Sequence, residues 1–167
     1  MNKRMILYIQ GAILLVESAI MLLPIAAALI YREACGVWFL YTALAAAIIG
    51  FAAMKLAQPR NKTIYAKDGL IAVAAGWIVL SLVGALPFTL SGEIPFYLDA
   101  VFEMISGFTT TGSSIVPNVE ALSRCMLLWR SFSHWLGGMG ILVFMLAIMR
   151  LEGGQGIHLL RAESPGP

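Results

Sequence analysis

Charge is the scarcest property of this sequence. Lysine, arginine, aspartate and glutamate make up 12% of 167 residues, about half of the roughly 25% found in soluble domains. That shortage excludes a soluble globular protein, and a net charge of only +2 excludes nucleic acid binding through a basic surface. His134 and His158 are the only histidines and the acids are dispersed, so no nucleophile, base and acid set can be assembled and no enzyme is expected. No prosthetic cofactor is expected either. Cys35 and Cys125 are too few for a disulfide framework and, without a nearby histidine, lack metal-site spacing. Both fall near the outer surface, where a disulfide is open to them, but they are read as ordinary apolar cysteines. The halves show no internal repeat, and Gly153-Gly154-Gln155-Gly156 is a flexible exit lacking the spacing of a nucleotide fingerprint.

Apolar residues are abundant: 60% of the chain is hydrophobic and the mean hydropathy is +0.86, which defines an integral membrane protein in a lipid bilayer. Four spans are predicted, over 5–30, 37–57, 69–90 and 124–149. Met1 to Arg4 resembles the start of a secretory signal, but the apolar run continues to Ile30 without a small-residue cleavage site, so it is read as a span. Within it, Glu17 is expected to be neutral or bonded between helices, and Pro24 to be a tolerated kink. The second span, rich in alanine and carrying Gly50, suits close helix packing. Trp77 in the third is expected to pack in the core.

The basic connection from Lys55 to Asp68 is assigned to the cytoplasm by the positive-inside rule. Eight basic residues then lie inside (Lys3, Arg4, Lys55, Arg60, Lys62, Lys67, Arg150, Arg161) against Arg32, Arg124 and Arg130 on the outer half. Both termini are therefore expected in the cytoplasm.

Between the third and fourth spans lies a stretch too short and polar to cross. Residues 97–108 would form a helix of ~18 Å, enough to reach the middle of a hydrocarbon core of about 30 Å. Thr109-Thr110-Thr111-Gly112-Ser113-Ser114 must then turn back, and non-helical backbone at that depth is tolerated only within protein or along water. The expectation is a re-entrant pore helix followed by a filter loop, with Thr110, Thr111, Gly112 and Ser113 offering carbonyls to a cation. The loop contains no carboxylate, which suits a monovalent ion that binds and leaves quickly. The alternative at this stage is a Ser/Thr-rich turn that holds no ion.

Depth arithmetic puts Glu103 and Arg130 at similar levels, so the two are expected to pair, or to share a bond with filter amides, and to brace the loop; the alternative is that Arg130 snorkels to the outer interface and Glu103 is protonated. Glu93 and Asp99 are open to two readings, cation attraction at the mouth or helix capping. Gly137, Gly138 and Gly140 interrupt the fourth span, either as a hinge beneath the filter or as small-residue packing.

Ser106-Gly107-Phe108-Thr109-Thr110-Thr111-Gly112, the run Trp129 to Gly140 and the closing Arg161-Ala162-Glu163-Ser164-Pro165-Gly166-Pro167 together resemble the membrane subunit of bacterial Trk-type potassium transporters. The resemblance implies an all-α membrane fold of four transmembrane helices plus one re-entrant pore helix. It divides the chain into two accessory helices and a basic loop (1–68), one helix, pore-loop, helix repeat (69–150) and a truncated cytoplasmic tail (151–167). It further implies potassium (K+) as the transported ion, a bacterial inner-membrane location, and a cytoplasmic nucleotide-binding regulatory subunit reached through the 55–68 loop or the tail. Since that family has four repeats around one pathway, the remaining repeats or copies of this chain are implied as partners. A non-conducting membrane interaction protein is the alternative.

Overall fold

The computed structural model describes residues 2–58 and 66–151. Among them the chain is helical: α1 (Lys3–Ile20), α2 (Leu22–Tyr31), α3 (Gly36–Ala57), α4 (Ala66–Gly84), α5 (Leu86–Leu90), α6 (Tyr97–Phe108) and α7 (Arg124–Leu151), with a 3-10 turn at Val119–Ala121. Most of the basic loop and the whole 152–167 tail lie outside the described residues.

Asn2 opens α1 by accepting the Met5 N–H on its side chain (3.2 Å), satisfying one of the free donors of a first helical turn. α1 and α2 form one span of 29 residues, broken at Met21. The cause is Pro24, which removes the N–H that would bond the Ile20 carbonyl and crowds that carbonyl with its ring. The expected kink is present.

α1 and α3 cross at two glycines. A Cβ built on Gly11 would lie 2.7 Å from the Gly50 carbonyl oxygen, and one on Gly50 would lie 2.8 Å from that of Gly11. Only glycine at both positions allows this approach, which in lipid supplies the dispersion contacts that drive helix association. Ser18 Oγ adds a bond to the Ala43 carbonyl (2.8 Å). The alanine-rich span is thus a packing helix. Elsewhere its surface is apolar and exposed, as at Ile48, Ile49 and Leu56, which suits contact with acyl chains.

Among the described residues, three stretches are long and apolar enough to cross a membrane: Lys3–Tyr31, Gly36–Ala57 and Asp68–Leu90. α7 has the length, 28 residues or ~42 Å, but carries Arg130, Ser131, Ser133 and His134 in its first half. The polarity of that half follows from its neighbour. α6, only 12 residues long, ends in the interior beside it.

Met21, Phe39, Phe88, Met104, Met126 and Trp129 are all fully buried and gather around α6. Trp129 is fixed by a bond from Nε1 to the Gly84 carbonyl (3.0 Å) and an edge contact with Phe39. Trp77 packs against Phe108 at 5.9 Å between ring centroids, the core role expected of it. Glu17 is buried here too, and neither of its carboxyl oxygens has a protein partner among the described residues.

One expectation is corrected. Cys35 and Cys125, read as ordinary apolar residues, are joined as a disulfide across 90 positions of sequence. Packing of α2 against α7 brings the start of α3 to the start of α7, a proximity that spacing along the chain cannot reveal.

Candidate functional site

α6 buries one stripe, Ala100, Glu103, Met104, Ser106, Gly107 and Phe108, at the i, i+3, i+4 spacing of a helix face. Two of its polar members hold the loop that follows. Beyond Phe108 the chain tightens: the Thr109 N–H bonds Ile105 O (2.8 Å), that of Thr110 bonds Gly107 O (3.0 Å), and that of Thr111 bonds Ser106 O (3.0 Å). These bonds satisfy the last carbonyls of the helix. They also force left-handed backbone at Thr110 (φ 56°) and Gly112 (φ 76°). Glycine adopts that conformation freely, whereas a β-branched threonine does so only under local constraint.

Past Gly112 the loop is tied from behind. Ser106 Oγ donates to the Ser113 carbonyl (2.6 Å). Glu103 Oε1 accepts the Ser114 hydroxyl (2.6 Å) and the Ile115 N–H (2.6 Å). Its other oxygen, Oε2, takes Arg130 Nε from α7 (2.9 Å). Glu103 is 1% exposed and Arg130 17%, so the meeting anticipated from depth occurs, with loop donors joined to the same carboxylate. Such a carboxylate is matched by one opposite charge and by directed donors, which is what makes burying it tolerable.

The four residues expected to offer carbonyls are therefore not equivalent. Thr110, Thr111, Gly112 and Ser113 are all exposed. Among the described residues, the carbonyls of Thr110, Thr111 and Gly112 accept no hydrogen bond, while that of Ser113 is turned back to Ser106. Ser106 itself escaped the sequence reading. Its signal was available, as a hydroxyl residue one turn after Glu103 on the same face.

α7 presses directly on the end of α6. A Cβ on Gly137 would lie 2.8 Å from Phe108 Cα, and one on Gly140 would lie 2.7 Å from the Trp77 ring, whereas at Gly138 the nearest atom is Thr110 Cγ2 at 3.8 Å. All three glycines sit within one uninterrupted helix. Gly137 and Gly140 are contact points; Gly138 faces the loop.

The start of α7 is capped by carboxylates from elsewhere in the chain. Glu93 accepts the Ser123 N–H (2.9 Å) and hydroxyl (2.6 Å). Glu33 accepts the N–H groups of Arg124 and Cys125, each at 3.0 Å. Of the two readings of Glu93, capping is the one the geometry displays, on α7 rather than on the pore helix. Asp99 lies in the first turn of α6.

Known proteins resemble this chain in sequence and fold. The family model described as TrkH, cation transport protein, matches residues 39–167. The Trk system potassium uptake protein TrkH of Salmonella typhimurium is 38% identical over all of this chain and 35% of its own length. An uncharacterised cation transporter of Methanocaldococcus jannaschii is 35% identical over 95% of this chain and 33% of its own. The crystal structure of the potassium transporter TrkH from Vibrio parahaemolyticus superposes with a TM-score of 0.86 at 34% identity, covering 93% of this chain and 34% of that one. The chain spans about a third of the length of these relatives. It belongs to the TrkH family of cation transport proteins, a family of membrane transporters rather than enzymes.

Proposed function

We propose that this chain contributes one of four pore repeats, together with two accessory spans, to a potassium uptake pathway. The observation that carries the reading is a run of three exposed residues, Thr110, Thr111 and Gly112, whose carbonyls accept no hydrogen bond among the described residues, at the C-terminal end of α6. Carbonyl oxygens replace the water of a dehydrated monovalent cation, and the partially negative end of a pore helix favours positive charge beside them. Glu103, Arg130 and Ser106 hold the strand so that these oxygens keep their positions. The relatives named as potassium uptake proteins support potassium as the ion.

In this reading the filter is Thr110, Thr111 and Gly112, with Ser113 contributing less because its carbonyl is engaged. Residues 1–68 are the accessory unit and 69–150 the repeat. The positive-inside count supports cytoplasmic termini, and the likeness to Trk proteins supports a bacterial inner membrane. A nucleotide-binding regulatory subunit would approach from that side, at the 55–68 loop or the 151–167 tail.

One repeat supplies one strand of a site that needs four, so conduction requires four copies or complementary repeats. Native mass spectrometry in detergent, paired with rubidium flux in liposomes, tests this. Flux is expected only from preparations in which four repeats are assembled. A monomer that conducts, or an assembled pore that carries no cation, overturns the proposal, the latter in favour of a non-conducting interaction protein.

A further inference from the structure

Two long helices begin at the same corner of the molecule. Cys35 is the N-cap of α3 and Cys125 is the second residue of α7, so both cysteines stand at helix N-termini. That position favours thiolate over thiol and makes a disulfide easier to reduce. Glu33 is held at the same point by its bonds to the Arg124 and Cys125 N–H groups. Each of its oxygens keeps a second lone pair. Ligand atoms of Glu33, Cys35 and Cys125 all lie within 4.8 Å of one another. In a tetrahedral zinc site, metal to ligand distances of about 2.0–2.3 Å separate the ligands by roughly 3.3–3.8 Å, so the two bonded sulfurs would have to separate on reduction while the carboxylate stays beside them.

The surroundings suit a cation held by anionic ligands. A cavity of about 350 Å³, lined in part by Glu33, Cys35, Glu93 and Ser123, opens beside the cluster and gives an ion a way in. Arg124, stacked over the Tyr31 ring at 4.4 Å, offsets part of the negative charge that two thiolates and a carboxylate would leave on a divalent ion. Soft sulfur donors select zinc and its heavier congeners over potassium, magnesium or calcium.

We propose that Glu33, Cys35 and Cys125 form a redox-controlled site for a thiophilic divalent cation of the zinc class. In the oxidised state the S–S bond occupies the sulfurs and no metal binds. A dithiol or phosphine reductant supplies two electrons, the S–S bond breaks, and two protons from water complete the thiols. Metal binding then displaces those protons as two metal–sulfur bonds form, with Glu33 as third ligand and water in the open position. The corner where α3 meets α7 is thereby closed in two alternative ways, by a covalent bond or by an ion. This assignment does not depend on the transport reading, because its test reads metal and thiols alone.

The test uses the full chain in detergent, reduced with a phosphine and dialysed against Cd2+ as probe. One Cd2+ per reduced chain is expected, with ultraviolet sulfur-to-cadmium charge-transfer absorption and both thiols shielded from a thiol reagent. The oxidised chain should take up none. Cys35→Ser and Cys125→Ser should each abolish uptake, and Glu33→Gln should weaken it roughly tenfold while both thiols remain countable. A reduced chain with two titratable thiols and intact helical circular dichroism that binds no Cd2+ overturns the proposal. So does a Cys35→Ser chain that binds as tightly as the parent, or a disulfide that no reductant reaches while the helices persist.

Discussion

The Ser106 hydroxyl bonds the Ser113 carbonyl at 2.6 Å, joining the last turn of the pore helix to the far end of the loop it introduces. This bond divides the loop into a carbonyl that is held and three that are not. Ser106→Ala removes one hydrogen bond and should cost about 0.6–1.7 kcal/mol, from the average to the upper end found for such bonds in membrane proteins. The larger effect is expected in ion discrimination. With the Ser113 carbonyl released, the potassium-to-sodium flux ratio of a complete transporter carrying the substitution should fall while total protein in the membrane is unchanged. An unaltered ratio would show that the bond is structural only.

Thr110 and Gly112 both have left-handed backbone, and they predict opposite responses. A Cβ at Gly112 meets nothing within 4 Å, so Gly112→Ala carries only the conformational penalty, about 1 kcal/mol. Thr110→Gly relieves a β-branched residue of the same conformation and should raise stability by about 1 kcal/mol. Thermal unfolding in detergent distinguishes the signs. A loss of stability in Thr110→Gly would mean that its hydroxyl contact with the Thr109 carbonyl outweighs the backbone term.

What was legible in the sequence follows from what each inference needed. Spans, the re-entrant helix and the kink at Pro24 depend on local composition and backbone chemistry, which neighbouring residues carry. The meeting of Glu103 and Arg130 was legible because depth in a bilayer orders side chains along one axis even when their partners are distant in sequence. Azimuth around that axis was not. Cys35 and Cys125 were at similar depth as well, but nothing local said that α2 packs on α7. Glu93 was read as a group near the pore-helix start, yet it caps α7 thirty positions later. Such caps depend on loop paths, and loops impose little periodicity on sequence.

Glu103 and Arg130 should be energetically coupled. Removing one partner of a buried pair typically costs about 3–5 kcal/mol because the other charge is stranded. Glu103→Gln keeps an acceptor for Ser114 and Ile115, so its loss should fall toward the lower end of that range. Arg130→Gln should cost more in transport than in folding. A double-mutant cycle on unfolding is expected to give a coupling of about 0.5–3 kcal/mol. Strict additivity would exclude the ion pair as a stabilising contact despite its 2.9 Å separation.

The three glycines of α7 provide the sharpest ordering. Gly→Ala within a helix gains about 1 kcal/mol from propensity alone, so any net loss measures contact. At Gly137 a methyl group would meet the Phe108 backbone, with Cα at 2.8 Å, and backbone cannot rotate away. Gly137→Ala should therefore lose about 1–3 kcal/mol, as overpacking does, and displace the end of the pore helix. At Gly140 the obstacle is the Trp77 ring, a side chain with some freedom, and the loss should be smaller. At Gly138 the nearest atom is at ordinary contact distance, so Gly138→Ala should stabilise by up to ~1 kcal/mol. Unfolding measurements on the three variants test the order Gly138, Gly140, Gly137. The hinge reading enters at Gly138 alone: if that variant is more stable yet transport collapses in the assembled protein, function needs either bending of α7 there or the clearance that Gly138 leaves beside Thr110. If transport persists, the glycines serve approach, not motion.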